Sequence, residues 1–197
     1  MSWCARCLIG AALLLAAAGV HAASRRTEVA LTDLSGRAVP LVASADSRGS
    51  VFVFIRTDCP ISDRYVPELE RQQQRAAAAH VEFALVFVDP AEPSDAIRAH
   101  IQTFHYTGRV LRDDSHALVR LAGVATTPEA AAFAHEPGGP RLVYRGRIDN
   151  RYVDFGRMRP AATEHDLADV IDAFAAGGGR LTFRTTKAIG CVIADLR

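Results

Sequence analysis

Residues 51–55, Val-Phe-Val-Phe-Ile, are continuously apolar and β-branched or aromatic, and the chain then reads Cys59-Pro60-Ile61-Ser62. A run of that kind predicts a strand buried on both faces. Pro60 suits the first turn of a helix, where its missing N–H costs little. A strand that needs cover above and below, and that feeds a helix directly, restricts the chain to a layered α/β arrangement. It also sets Cys59 at a helix N-terminus. Unpaired N–H groups and the positive end of the helix dipole favour a thiolate there. A buried structural cysteine satisfies the same pattern, since free Cys is among the most buried residue types.

The remaining elements follow from spacing. The first helix is expected to reach about Ala79, with Ile61, Tyr65, Val66 and Leu69 facing the core and Pro67 kinking it. Val81 to Val88 reads as a second buried strand. Ser94 is placed to cap a helix through Ile97, Ile101 and Phe104, and Ser115 a short one through Leu118, Val119 and Leu121. Short strands are expected at Glu28 to Leu31, Val39 to Val42 and Arg109 to Leu111. Ala130–Phe133 and Leu142–Tyr144 form a hairpin pattern across Pro137-Gly138-Gly139-Pro140. Thr163, with Asp166, is placed to cap a last helix ended by Gly177-Gly178-Gly179. The order implies a central mixed β-sheet flanked by helices, in one domain.

The ends add a destination. Arg6 and the apolar run Leu8 to Val20, followed by Val20-His21-Ala22, form a signal-peptide pattern with cleavage after Ala22. The run is short for a membrane span, which needs ~20 residues. The expected organisation is a signal peptide over 1–22, a domain over 23–178 and a C-terminal tail over 179–197. The implied location is periplasmic or secreted. Cleavage discards Cys4 and Cys7 and leaves Cys59 and Cys191. Two cysteines in an oxidising compartment make a disulfide, a redox pair, or one reactive thiol and a bystander. Losing Arg6 leaves 22 basic residues against 22 acidic ones, which argues against nucleic acid as a partner.

At this point the residues resemble a family. Cys59-Pro60-Ile61-Ser62 stands after an apolar strand, where thioredoxin-fold redoxins carry CxxC. Pro67 sits where the thioredoxin helix has its kinking proline. Gly123-Val124-Ala125-Thr126-Thr127-Pro128 is similar to the loop that presents a cis-proline beside the active sulfur, and Leu142-Val143-Tyr144-Arg145-Gly146 to the hairpin strand that often ends in glycine. The likeness extends to the thiol-specific antioxidant (alkyl hydroperoxide reductase) proteins and covers about residues 27–176. It implies a thioredoxin-like fold and an oxidoreductase with Cys59 as nucleophile. Thr127 and Pro128 would shape the substrate groove, with Thr127–Pro128 cis.

The departures bear on mechanism. Ser62 replaces the second cysteine of CxxC, so no dithiol shuttle fits within the motif. Ser62 either donates a hydrogen bond to a Cys59 thiolate or serves only the helix's first turn. The peroxiredoxin pattern is imperfect, because Thr57 lies two residues before Cys59. Thr57 and Arg56 are candidate peroxide donors by proximity, though Arg56 also has Asp58 to pair with. Cys191 lies in the small-apolar patch Lys187-Ala188-Ile189-Gly190-Cys191-Val192-Ile193, which is expected to pack back on the domain. It is either a packing thiol or a resolving cysteine able to bond with Cys59.

The expected partners are protein or small-molecule disulfides, or peroxides, with an external reductant that the sequence does not identify. No metal ligand set and no cofactor is expected. None of the six histidines after residue 22 has HxxxH or HExxH spacing. His116 or His135 would complete a Cys/His site only if the fold brought one near Cys59. The alternative class is a non-catalytic binding module, either a copper carrier or an accessory protein of an exported electron-transfer system. The run from Tyr144 to Tyr152 mixes arginine with aromatics and is expected to be a solvated edge or a partner surface.

Overall fold

The computed structural model describes residues 29–44, 46–177, 180–194 and 196. The expected signal peptide and cleavage site and the Cys4/Cys7 pair lie outside the described residues, as do Glu28 and the second and third glycines after the last helix. Strands β1 (Leu31–Thr32), β2 (Ala38–Val39) and β3 (Gly49–Ile55) come first. They are followed by α1 (Pro60–Ala78), β4 (Val81–Phe87), α2 (Ser94–Thr103), β5 (Arg109–Arg112) and α3 (Ala117–Ala122). Next are β6 (Thr126–Thr127), β7 (Glu129–Glu136), β8 (Gly139–Gly146), β9 (Tyr152–Asp154), β10 (Arg157–Met158) and α4 (Asp166–Ala176). The tail adds β11 (Arg184–Thr185) and β12 (Cys191–Val192).

The main sheet has the order β11-β8-β7-β3-β4-β5-β1-β2. Every residue of β3 is buried. It runs parallel to β4 and antiparallel to β7, with Val53 opposite Leu85 on one side and Ala130 on the other. Alternation then splits its side chains between two cores. Val51, Val53 and Ile55 pack with Ile61, Leu69, Ile97 and Ile171, from α1, α2 and α4. Phe52 and Phe54 pack with Leu31, Leu118, Val119 and Ile193, from β1, α3 and the tail. The mixed sheet flanked by helices is the one expected from the element order.

Helix α1 buries Ile61, Tyr65, Val66, Leu69 and Ala76, an i, i+4 stripe with Pro67 inside it. Cap assignments differ from the sequence reading. Helix α2 begins at Ser94 itself, with Pro93 as the N-cap and no side-chain cap. Ser115 does not cap α3. The buried Asp113 carboxylate does, accepting from Ala117 N–H and Val119 N–H at 2.8 Å each. Thr163 does not cap α4, which starts after His165; its hydroxyl instead accepts from Asn150 Nδ2 at 2.8 Å. Leu121 lies in α3 as expected and is 48% exposed. His80, His105 and His116 adopt positive φ at turns beside helix ends, a conformation histidine enters more readily than most residues.

The β7–β8 hairpin is longer than its apolar pattern, closing tightly at Pro137-Gly138 with Glu136 opposite Gly139. The arginine–tyrosine run after it is not a solvated edge. Tyr144, Ile148, Asp149, Asn150 and Tyr152 are buried. Tyr65 donates to Asp149 Oδ1 at 2.5 Å, and its ring lies 5.5 Å from that of Tyr152. This aromatic contact closes over α1, and Arg147 Nε bonds the buried Asp166 at 2.6 Å. Among the described residues no helix is long and apolar enough to cross a membrane.

The tail is part of the sheet. β11 extends it parallel to β8, and Thr186 Oγ1 bonds the Tyr144 hydroxyl at 2.7 Å and accepts from Arg147 N–H at 3.1 Å. Beyond it, Ile193 is buried among the Phe52 and Phe54 face. The expectation that this patch packs back holds, because its apolar residues reach both cores.

Candidate redox site

Cys59 is the N-cap of α1, at the C-terminal end of central strand β3, with extended backbone (φ −99°, ψ 103°). It is 0% exposed. Three elements meet at its sulfur. The first is the start of α1, which supplies Ser62, one turn on and itself buried. The Ser62 hydroxyl has no partner in hydrogen-bond geometry, yet it lies close enough to the sulfur to favour a thiolate. The second is β6, whose Thr127 carbonyl oxygen lies 3.0 Å from the Cys59 sulfur and accepts from it when it is protonated. The Thr127–Pro128 peptide after it is cis. The third is the tail. β12 pairs antiparallel with β6, Cys191 opposite Thr127, and Ile193 N–H donates to Ala125 carbonyl at 3.0 Å. This sets the Cys191 sulfur 2.6 Å from that of Cys59, both cysteines being free.

The two thiols are biased in opposite directions. Burial pushes the Cys59 pKa up, but the hydrogen bond from Cys191, then the nearness of the Ser62 hydroxyl and backbone N–H and of the Thr127 side chain, outweigh it and hold the thiol below its ordinary value. Cys191 is pushed up to about 12, by burial first and then by the neighbouring Cys59, with Asp58 adding to the rise and Arg56 opposing it. The pair therefore favours one arrangement, a Cys59 thiolate accepting from a Cys191 thiol. Disulfide geometry needs an S–S distance of ~2.05 Å, so joining the sulfurs takes a shift of about half an ångström.

The other candidates fall into two groups. Thr127, Pro128 and Ser62 are at the sulfur pair. Thr57 and Arg56 are committed to carboxylates. The Thr57 hydroxyl donates to Glu92, while Arg56 Nη2 bonds Asp58 at 2.8 Å and Asp89 at 3.2 Å. Arg56 Nε is buried without a partner among the described residues. His116 Nε2 bonds Val88 carbonyl, and His135 bonds Ser50 and Ser47. Among the described residues no group of three or more His, Cys, Asp or Glu side chains could hold a metal ion.

Two further residues shape the site. Glu129, 7% exposed, accepts from Ala125 and Thr126 N–H at 3.1 and 3.3 Å and so fixes the loop that carries Thr127. A lone acid heading the alanine run of a central strand was the available signal. Gly190 lies so close to Thr127 that a Cβ would stand 2.1 Å from its carbonyl oxygen. Beside the tail, a cavity of about 160 Å³ is lined by Arg56, Asp89, His116, Ile193 and Ala194, among others.

No protein-family model matches the chain, and no curated protein matches it. Solved structures do. A hypothetical protein of Sinorhizobium meliloti 1021 is 23% identical with a TM-score of 0.66, over 84% of this chain and 90% of that one. An uncharacterized conserved protein of Geobacillus kaustophilus is 22% identical with a TM-score of 0.65, over 84% and 87%. An uncharacterized thioredoxin-like protein of Porphyromonas gingivalis is 15% identical with a TM-score of 0.55, over 80% and 95%. At these identities the likeness is one of fold, and the fold is thioredoxin-like.

Proposed function

We propose that this chain is an exported thiol–disulfide oxidoreductase whose redox centre is the pair Cys59 and Cys191, far apart in sequence. The observation that carries the reading is the 2.6 Å approach of the two sulfurs on a strand seated against Thr127. In the reduced state Cys59 is the thiolate whose attack closes the bond between the two sulfurs, and Cys191 is its partner thiol. A disulfide R–S–S–R′ takes up two electrons and two protons and becomes two thiols, while Cys59 and Cys191 join. An external dithiol returns the pair to the reduced state by the reverse exchange. Disulfides suit the site better than peroxides, because the Thr57 hydroxyl and Arg56 Nη2 are already held by Glu92, Asp58 and Asp89. Export rests on the N-terminal pattern from Arg6 to Ala22.

The test combines mass mapping with kinetics. Mild oxidation of the chain from residue 23 onward should give a peptide pair joined through Cys59 and Cys191, and the protein should exchange electrons with a disulfide substrate. Cys59→Ser, Cys191→Ser and the double variant should fall to one common floor, ~10²-fold or more below the parent, because groups that act as a unit are not additive. A map with over-oxidised Cys59 and untouched Cys191, or a Cys191→Ser variant of full activity, removes the pair from the mechanism.

A further inference from the structure

We propose that outside thiols meet this centre at the sulfur of Cys191, and that Cys59 acts only from the inside. The proposal rests on the redox-pair reading above and adds the point of entry. The cover over Cys59 is built from the chain itself, by strand β12 paired with β6. Cys59 is 0% exposed, whereas Cys191 is partly exposed and its neighbour Val192 is 73% exposed. The cover is well anchored. Thr186 ties it to Tyr144 and Arg147 on one side, Ile193 is buried on the other, and Gly190 fits against Thr127 with no room for a side chain. Among the described residues β12 pairs only with β6. An approaching group reaches the sulfur of Cys191 before that of Cys59.

The exchange balances at that sulfur. A thiolate RS⁻ attacks Cys191 Sγ of the oxidised pair, the Cys191–Cys59 bond breaks, and Cys59 leaves as a thiolate. A second thiolate from the reductant then attacks the sulfur of R, expelling Cys191, which takes up a proton. Run backward, the Cys59 thiolate attacks a Cys191–S–S–R mixed disulfide and expels RS⁻. The more acidic thiol is the better leaving group, and Cys59 is that thiol, so attack at Cys191 is favoured by chemistry as well as by access. The cavity flanked by Ile193 and Ala194, two and three residues along from Cys191, gives the body of a small thiol a place to rest.

Glutathione is a suitable probe. The oxidised chain is mixed with excess glutathione, quenched in acid at intervals, labelled with N-ethylmaleimide and mapped by mass. The expected intermediate carries glutathione on Cys191 and maleimide on Cys59, exceeding the opposite isomer by ~10-fold or more. Glutathione mainly on Cys59, or reduction of the pair without glutathione ever appearing on Cys191, overturns the entry point and leaves the redox pair standing. If no Cys59–Cys191 bond can be formed in the starting material, the redox pair itself is wrong, and with it this proposal.

Discussion

At the level of single residues, the two cysteines differ because of what surrounds each sulfur. Cys59 stands at a helix start with Ser62, Thr127 and the Cys191 thiol around it; Cys191 faces Cys59 and Asp58. Thiolate absorbance of the reduced protein should therefore rise in two separate steps. The first, Cys59, belongs below the ordinary thiol value of ~8.5. The second, Cys191, is expected near about 12. Cys191→Ala should move the first step upward, because a methyl group removes the donor that the Cys59 thiolate accepts from. Folding follows with a definite sign. Cys191, raised in the folded state, contributes stability in full below the ordinary thiol value and loses it as pH climbs toward about 12. Cys59, lowered, contributes above the ordinary thiol value and loses that contribution as pH falls through its folded pKa. A single step at or above ~8.5 counting both thiols would mean that the sulfurs do not share a proton.

At the level of elements, the tail strand is the decisive piece, and it depends on Gly190. A methyl group there meets backbone, the Thr127 carbonyl, which cannot swing away as a side-chain tip can. Gly190→Ala should lift β12 from β6 while β3, β4 and α1 stay folded. The expected result is ~10-fold or slower closure of the Cys59–Cys191 bond with an unchanged far-ultraviolet spectrum, since a 1 Å misplacement of reacting groups already costs ~10²-fold in rate. Closure at the parental rate would show that the tail seats itself without the Gly190 contact. The same element marks the border of what the sequence discloses. β3, β4 and α1 were legible because their burial is total or strictly periodic, and periodicity is written in residue types. Helix starts were misread at Ser94, Ser115 and Thr163. Caps depend on which oxygen reaches the free N–H groups, and for α3 that oxygen belongs to Asp113, buried and several residues upstream. The aromatic layer around Tyr144 and Tyr152 was hidden because its arginines, spaced between buried positions, read as surface. β12 is two residues long and has no period to detect. Its apolar neighbours told that the tail docks, but not that Cys191 would lie opposite Thr127, which is a matter of register across 64 residues of chain.

For the molecule as a whole, the pair links the central strand to the tail's far end, 132 positions along the chain. In the reduced protein the tail is already seated, with Ile193 buried and Thr186 bonded to β8, so the bond changes the folded state little. Its effect falls on the unfolded chain, whose freedom it removes. For a loop of this length the chain-entropy account gives ~4–5 kcal/mol at 25 °C. Urea unfolding of oxidised and reduced protein should therefore differ by up to about that amount, with a smaller m-value for the oxidised form, because a cross-linked unfolded chain exposes less surface. Cys191→Ser should match the reduced parent under both conditions, which separates the bond from other effects of the oxidant. An oxidised form no more stable than the reduced one, at the same m-value, would mean that closing the bond pulls the tail from β6 or distorts the loop at Thr127. The tail would then serve as a removable cover on Cys59 rather than as the second half of a redox pair.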